Sequence, residues 1–149
     1  METSMSKRSS ITKALALKIK DSLDGIQYPS NLYGNAYNRL EFWDTVSDFP
    51  SIYMSPGSES REYLPGNFTW AFLGISIKIY AKGESAQDEL EQLLEDVESV
   101  INANRVLTYD TIHQYETTEI NVVSITTDEG LLAPYAVGEI NLQVRYAIM

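Results

Sequence analysis

Few side chains in this 149-residue sequence could carry out acid–base or nucleophilic chemistry. There is one histidine, His113, and no cysteine. A Cys–His pair is therefore excluded, and a Ser–His–Asp triad would have to use His113. No serine sits in the Gly-x-Ser-x-Gly turn that exposes such a nucleophile. His113 lies between Tyr109 and Tyr115, where a lone imidazole is far more often a packed or surface residue than a ligand. The glycine spacings match neither a phosphate-cradling loop nor a dinucleotide fingerprint. Carboxylates are plentiful, but Glu91 and Glu95 fall on the polar side of a helical repeat. There they lack the burial that makes a general acid. A carboxylate-held calcium or magnesium ion stays open, although no twelve-residue calcium loop is present. No cofactor, metal site or catalytic residue is expected.

Eleven Lys and Arg stand against twenty-one Asp and Glu, a formal net charge of -10. A surface of that sign repels nucleic-acid backbones and anionic membranes. No apolar run reaches the roughly 18 to 20 residues that span a bilayer, and Met1 to Ser10 lacks the apolar segment of a signal peptide. The expectation is a protein made in the cytoplasm that stays soluble, with residues 1–149 forming one domain and residues 1–9 a mobile arm.

These side chains need elements to position them, and the stretch from Trp70 to Asn104 is the clearest. From Trp70 to Tyr80 the residues alternate. Ala71, Leu73, Ile75, Ile77 and Ile79 point one way; Trp70, Phe72, Ser76, Lys78 and Tyr80 point the other. After Lys82-Gly83-Glu84, Ser85 is placed to cap a helix, with Asp88 completing a capping-box-like pair. The apolar positions Ala86, Leu90, Leu93, Leu94, Val97, Val100 and Ile101 then take helical spacing. Asp88, Glu89, Glu91, Gln92, Glu95, Asp96 and Glu98 form the opposite, solvated face.

Upstream, Ser9 or Ser10 can cap a helix carrying Ile11, Leu15, Ile19 and Leu23, stopped by Gly25. Lys13, Lys18 and Lys20 sit on its other face, solvated or paired with the acidic helix or a neighbouring copy. Ile26 to Pro50 interleaves aromatics with Asn, Gly, Ser and Pro; a short strand is placed near Asn38 to Phe42. Ser51 to Met54 reads as a strand stopped by Ser55-Pro56-Gly57. Ser58 to Asn67, between two Pro-Gly steps, reads as a long hairpin or extended arm. Arg105 to Tyr115 reads as a connection. Thr117 to Thr126 reads as a strand partly buried on both sides, with Ile120 and Val122 on one face and Val123 and Ile125 on the other. Leu131 to Tyr135 is a loop of exposed-looking apolar residues. The closing strand sets Ile140, Leu142, Val144, Tyr146 and Ile148 on one face.

These elements predict an α+β fold: an antiparallel or mixed sheet of about four to five strands, two main helices packed on one face, and long loops for assembly. The aromatic segment, the Pro-Gly-bounded arm and the apolar loop together suggest a domain gripped by other protein chains.

Several motifs run along the chain in a recognisable order: Tyr37-Asn38-Arg39 to Trp43, Asp48-Phe49-Pro50-Ser51-Ile52-Tyr53, Pro56-Gly57-Ser58-Glu59-Ser60-Arg61-Glu62-Tyr63, the strand Gly74 to Tyr80, the acidic helix, Ile125-Thr126-Thr127-Asp128-Glu129-Gly130 and the strand Ile140 to Tyr146. In this order the chain resembles the tail-terminator (tail-completion, minor tail) proteins of long-tailed bacteriophages. The resemblance implies a structural virion protein at the head-proximal end of the tail. It would form a homo-hexameric ring that caps the tail-tube protein, halts its polymerisation and presents a joining surface to the neck or head-completion protein. In such a ring the expected contacts are the Ser55 to Gly66 segment (Glu59, Arg61, Glu62 and Tyr63), Tyr37, Arg39 and Trp43, and the Leu131 and Leu132 loop, chosen for the Pro-Gly-bounded arm, the aromatic segment and the apolar loop read above. DNA would pass without specific binding, with Glu91, Glu95 and Glu98 facing the lumen.

Neck stoppers and other tail components share related small folds and are the alternative position. From other classes, the rivals are a small intracellular ligand- or peptide-binding domain using the aromatic segment as a groove, and an acid–base enzyme using His113 with a carboxylate.

Overall fold

Residues 5–148 are described by the structure, a computed structural model. In chain order the elements are α1 (Lys7–Ser22), β1 (Ala36–Tyr37), β2 (Ser51–Leu64), β3 (Phe68–Lys82), α2 (Ala86–Ala103), β4 (Thr108–Asp110), β5 (Tyr115–Glu116), β6 (Glu119–Thr127) and β7 (Tyr135–Ile148). Five strands form one sheet in the order β1-β2-β3-β7-β6, and β4 and β5 form a separate two-stranded sheet. β1 lies parallel to β2 and every other pairing is antiparallel, so the main sheet is mixed.

The alternation in β3 does what its period dictates. Ala71, Leu73, Ile75, Ile77 and Ile79 are all buried, and Ile140, Leu142, Val144 and Tyr146 of β7 are buried on the same side. Both helices close that face. Ile11, Leu15 and Ile19 of α1 and the leucine–valine stripe of α2 enter one continuous core with the strands. Gly138 lets α2 settle closely, since a Cβ there would stand 2.9 Å from Leu90 Cδ1.

Several expectations need correction. α1 starts at Lys7, one turn earlier than expected, because Ser6 rather than Ser9 or Ser10 caps it by accepting from the Ser9 amide at 3.1 Å. Any of the clustered serines could cap; tertiary contacts select Ser6. Arg8 donates to the Gly57 carbonyl, and Lys7 stands 4.4 Å from the Tyr115 ring centroid. Lys7 to Ser9 are therefore helical rather than arm, and residues 1–4 lie outside the described residues. Ser85 occupies the cap position of α2 without a side-chain bond, so no capping box forms with Asp88. Its ψ of 24° leaves the extended region from which a hydroxyl reaches the first-turn amides.

The strand expected near Asn38 to Phe42 is displaced to Ala36–Tyr37. Beyond Tyr37 the chain turns over the sheet, with Arg39 above the rings of Tyr37 and Tyr53. Pro56-Gly57 does not end β2. The ladder shifts register between Pro56 and Glu59 and resumes to Leu64, opposite Phe68. Proline is tolerated because β1 covers only Ile52 and Tyr53, which leaves the rest of β2 an edge. Arg105 to Tyr115 contains the β4–β5 hairpin rather than a plain connection. In β6, a register shift between Val122 and Ser124 changes the parity. Ile120, Val122 and Ile125 therefore stand opposite core residues of β7, while Val123 points out and is 65% exposed. β6 is an edge strand, not one buried on both sides. Asp96 also leaves the solvated face. It is buried, accepting from the Ser30 amide and from Gln92 at 3.0 Å each.

Candidate assembly surfaces

The sheet face away from the helices is open, and the expected contact residues collect at its two ends. At one end, β2 and β3 run on as a hairpin arm, paired residue by residue from Glu59↔Leu73 to Leu64↔Phe68. Its turn, Pro65-Gly66-Asn67, has left-handed Gly66 and Asn67. Tyr63 and Leu64 are exposed at the tip. On the open face, Phe68 and Trp70 meet edge to face at 4.8 Å, and the Arg145 guanidinium lies 4.9 Å from the Trp70 ring.

The arm is anchored at its root. Tyr146 donates its hydroxyl to Glu59 Oε1 at 2.6 Å, and Arg61 holds Oε2 at 2.5 Å. Burial, then the bond to the Glu59 carboxylate, push the Tyr146 phenol well above its ordinary value. The Glu59 side chain is only 4% exposed, so it serves the arm's own structure; Glu62 and Tyr63 are the free groups of that set.

About 40 Å along β3 (twelve residues at 3.3 Å) lies the second end. Trp43 and Phe49 close on Tyr135 at 5.3 and 5.7 Å, and Val46, Tyr53 and Tyr80 make a small second core beneath them. Tyr80 donates to the Glu41 carbonyl at 2.6 Å, and burial pushes its phenol up to about 12. Tyr37 and Arg39 are used in this packing. Leu40 and Phe42 remain exposed beside Trp43. The Leu131–Leu132 loop is held by Asp128, which accepts from the Leu132 and Val137 amides at 3.1 Å each. Burial opposes ionisation of Asp128, but these amide bonds outweigh it and lower its pKa. Leu131 is 84% exposed and Leu132 half-buried.

The residues expected as contacts therefore lie in two groups, one at each end of the open face. The sequence reading did not single out Phe68 or Arg145 on this face, although the outward parity of Trp70 and Phe72 was the signal that the open face carries aromatics. Between the ends the open face is polar: Ser76 and Lys78 both bond Glu139, whose pKa is lowered chiefly by Lys78. On the helix layer, Glu91 and Glu95 are exposed and Glu98 half-buried, none paired with a cation among the described residues.

His113 sits on the exposed β4–β5 turn, stacked on Tyr115 at 5.1 Å. Its amide and ring both meet Asp110, which lowers the Asp110 pKa. The pair is solvent-facing. Among the described residues no three His, Asp or Glu side chains converge as metal ligands would.

A chain of the virion of a native gene transfer agent particle superposes with a TM-score of 0.64, covering 97% of this chain and 100% of that one. At 12% identity that likeness shows the fold alone. The tail tube terminator protein p142 of Escherichia phage T5 is 36% identical over 152 aligned residues, 95% of this chain and 94% of that protein. The family model described as Bacteriophage Tail Tube Terminator Protein matches residues 5–149. With the α+β architecture, these matches place the chain among structural proteins of the phage virion tail: it belongs to the bacteriophage tail tube terminator protein family.

Proposed function

We propose that copies of this chain close into a ring, six in number as the family resemblance implies, that caps the head-proximal end of the tail tube. The ring stops tube polymerisation and offers the head or neck its joining surface. The observation that carries this is the two-ended open face. A terminator must hold a tube on one side and a neck on the other, and this chain exposes apolar groups at both ends of β3 and few between them. The paired arm, with Tyr63, Leu64, Phe68 and Trp70, is the contact with the tube or the adjacent subunit. The end with Leu40, Phe42, Trp43 and Leu131 is the contact with the neck. Small contacts repeated around a ring dock firmly on a tube of matching symmetry. The net negative charge lets DNA pass without holding it.

Negative-stain electron microscopy of the protein with its own tail tubes, together with its mass in solution, tests the reading. Rings, or tubes newly capped at one end, are the expected result; uncapped tubes beside a monomer would reject it. Shortening the arm by removing residues 63–69 and joining Glu62 to its cross-strand partner Trp70 with a two-residue turn keeps the Glu59–Arg61 anchor and should leave the fold intact by circular dichroism. Tail length should then be unregulated; normal tails would remove the arm from the contact.

A further inference from the structure

The two helices carry opposite charge. α1 has Asp21 as its one acidic residue, and α2 has no basic residue at all. Of the eleven Lys and Arg, eight meet a carboxylate, a backbone carbonyl or an aromatic ring within the chain. The three that meet none among the described residues are Lys13, Lys18 and Lys20, all exposed on α1. Lys13, Leu17 and Lys20 recur at helical spacing along one stripe, and Leu17 is 47% exposed between the two ammonium groups. On α2, Asp88, Glu91, Glu95 and Glu98 recur at the same spacing, and among the described residues none of them pairs with a cation. Carboxylates three and four apart on a helix repel one another, so this stripe is under strain until a positive surface meets it.

Both helices cover the same face of the sheet, and both stripes look away from it. We infer that α1 of one copy docks along α2 of a second copy, laying Lys13, Leu17 and Lys20 on the stripe from Asp88 to Glu98. The lengths suit: about 10 Å of α1 against about 15 Å of α2, at 1.5 Å per residue. Exposed ion pairs are individually weak and screened by salt, so the contact fixes which surfaces meet and in what register, while Leu17 supplies the apolar centre. This rests on the ring reading above, and it takes Glu91, Glu95 and Glu98 away from the lumen and into a subunit contact.

Two variants test it on the protein's own tail tubes: Lys13→Glu/Lys18→Glu/Lys20→Glu, and Glu91→Lys/Glu95→Lys/Glu98→Lys. Each alone should need at least about tenfold more protein to cap tubes, as like-charge juxtaposition disfavours association. A one-to-one mixture should recover capping, because every reversed α1 then meets a reversed α2. Wild-type capping by either variant alone would overturn the docking, and is the result that a lumen-facing stripe predicts. A mixture that stays inactive while both variants are folded would overturn it as well. The absence of native cysteine permits an independent reading. Lys13→Cys and Glu95→Cys proteins, mixed and oxidised, should form a disulfide-linked heterodimer. If wild-type protein caps no tube yet this pair cross-links, the ring reading falls and the docking stands; no cross-link overturns the docking.

Discussion

The two faces of the sheet are built from the same strands one residue apart, yet they behave as different materials. On the helix-covered face, Leu73, Ile75, Ile77, Ile140, Leu142 and Val144 are buried to 2% exposure or less. On the open face, their immediate neighbours Phe72, Gly74, Ser76, Asn141 and Gln143 line a shallow depression of about 460 Å³ that reaches across to Gly57 and Val123. The pleat makes this division possible, since successive side chains point to opposite sides. The covered face decides whether the chain folds. The open face, polar in the middle and aromatic at both ends, decides what it meets.

The sharpest way to break that contrast is to damage the covered face. Ile77→Ala leaves a cavity under both helices and should lower unfolding free energy by about 2–5 kcal/mol in urea titration. A smaller loss, about 1–3 kcal/mol, is expected from Gly138→Ala, whose new methyl would press on Leu90 and Leu94. At the aromatic end of the open face, Tyr80→Phe removes the donor to the Glu41 carbonyl and should cost about 1 kcal/mol. The same residue gives a pH dependence. An unfolded tyrosine loses its proton near 10, whereas burial holds that of Tyr80 to about 12. Its contribution is thus complete below pH 10 and is lost as pH rises towards 12; Tyr146 acts in the same direction. Denaturant midpoints at pH 9 and pH 11.5 should differ less in Tyr80→Phe than in the parent. The smallest effect sharpens the contrast from the other side: Val123→Ser should change stability by no more than about 0.5 kcal/mol, because the side chain is exposed. A loss near that of Ile77→Ala would show that the open face is a second core.

What the sequence determined by itself was whatever period and side-chain type decide locally. The alternation in β3 and β7 and the seven buried apolar positions of α2 stand as read, because burying one apolar face requires those spacings whatever lies opposite. The α+β class followed from the order of those elements. Tertiary structure alone decided three things. It selected Ser6 over Ser9 and Ser10 as the cap of α1, since serines of equal local merit are separated only by what Lys7 and Arg8 touch. It carried β2 through Pro56-Gly57, since whether proline ends a strand depends on whether a neighbour needs its amide. It split the expected contact residues between the two ends of the open face and withdrew Glu59 into a bond with Tyr146, eighty-seven positions away. Period is a property of neighbours in the chain, whereas a cap, a bulge and a shared carboxylate depend on residues brought together only by the fold.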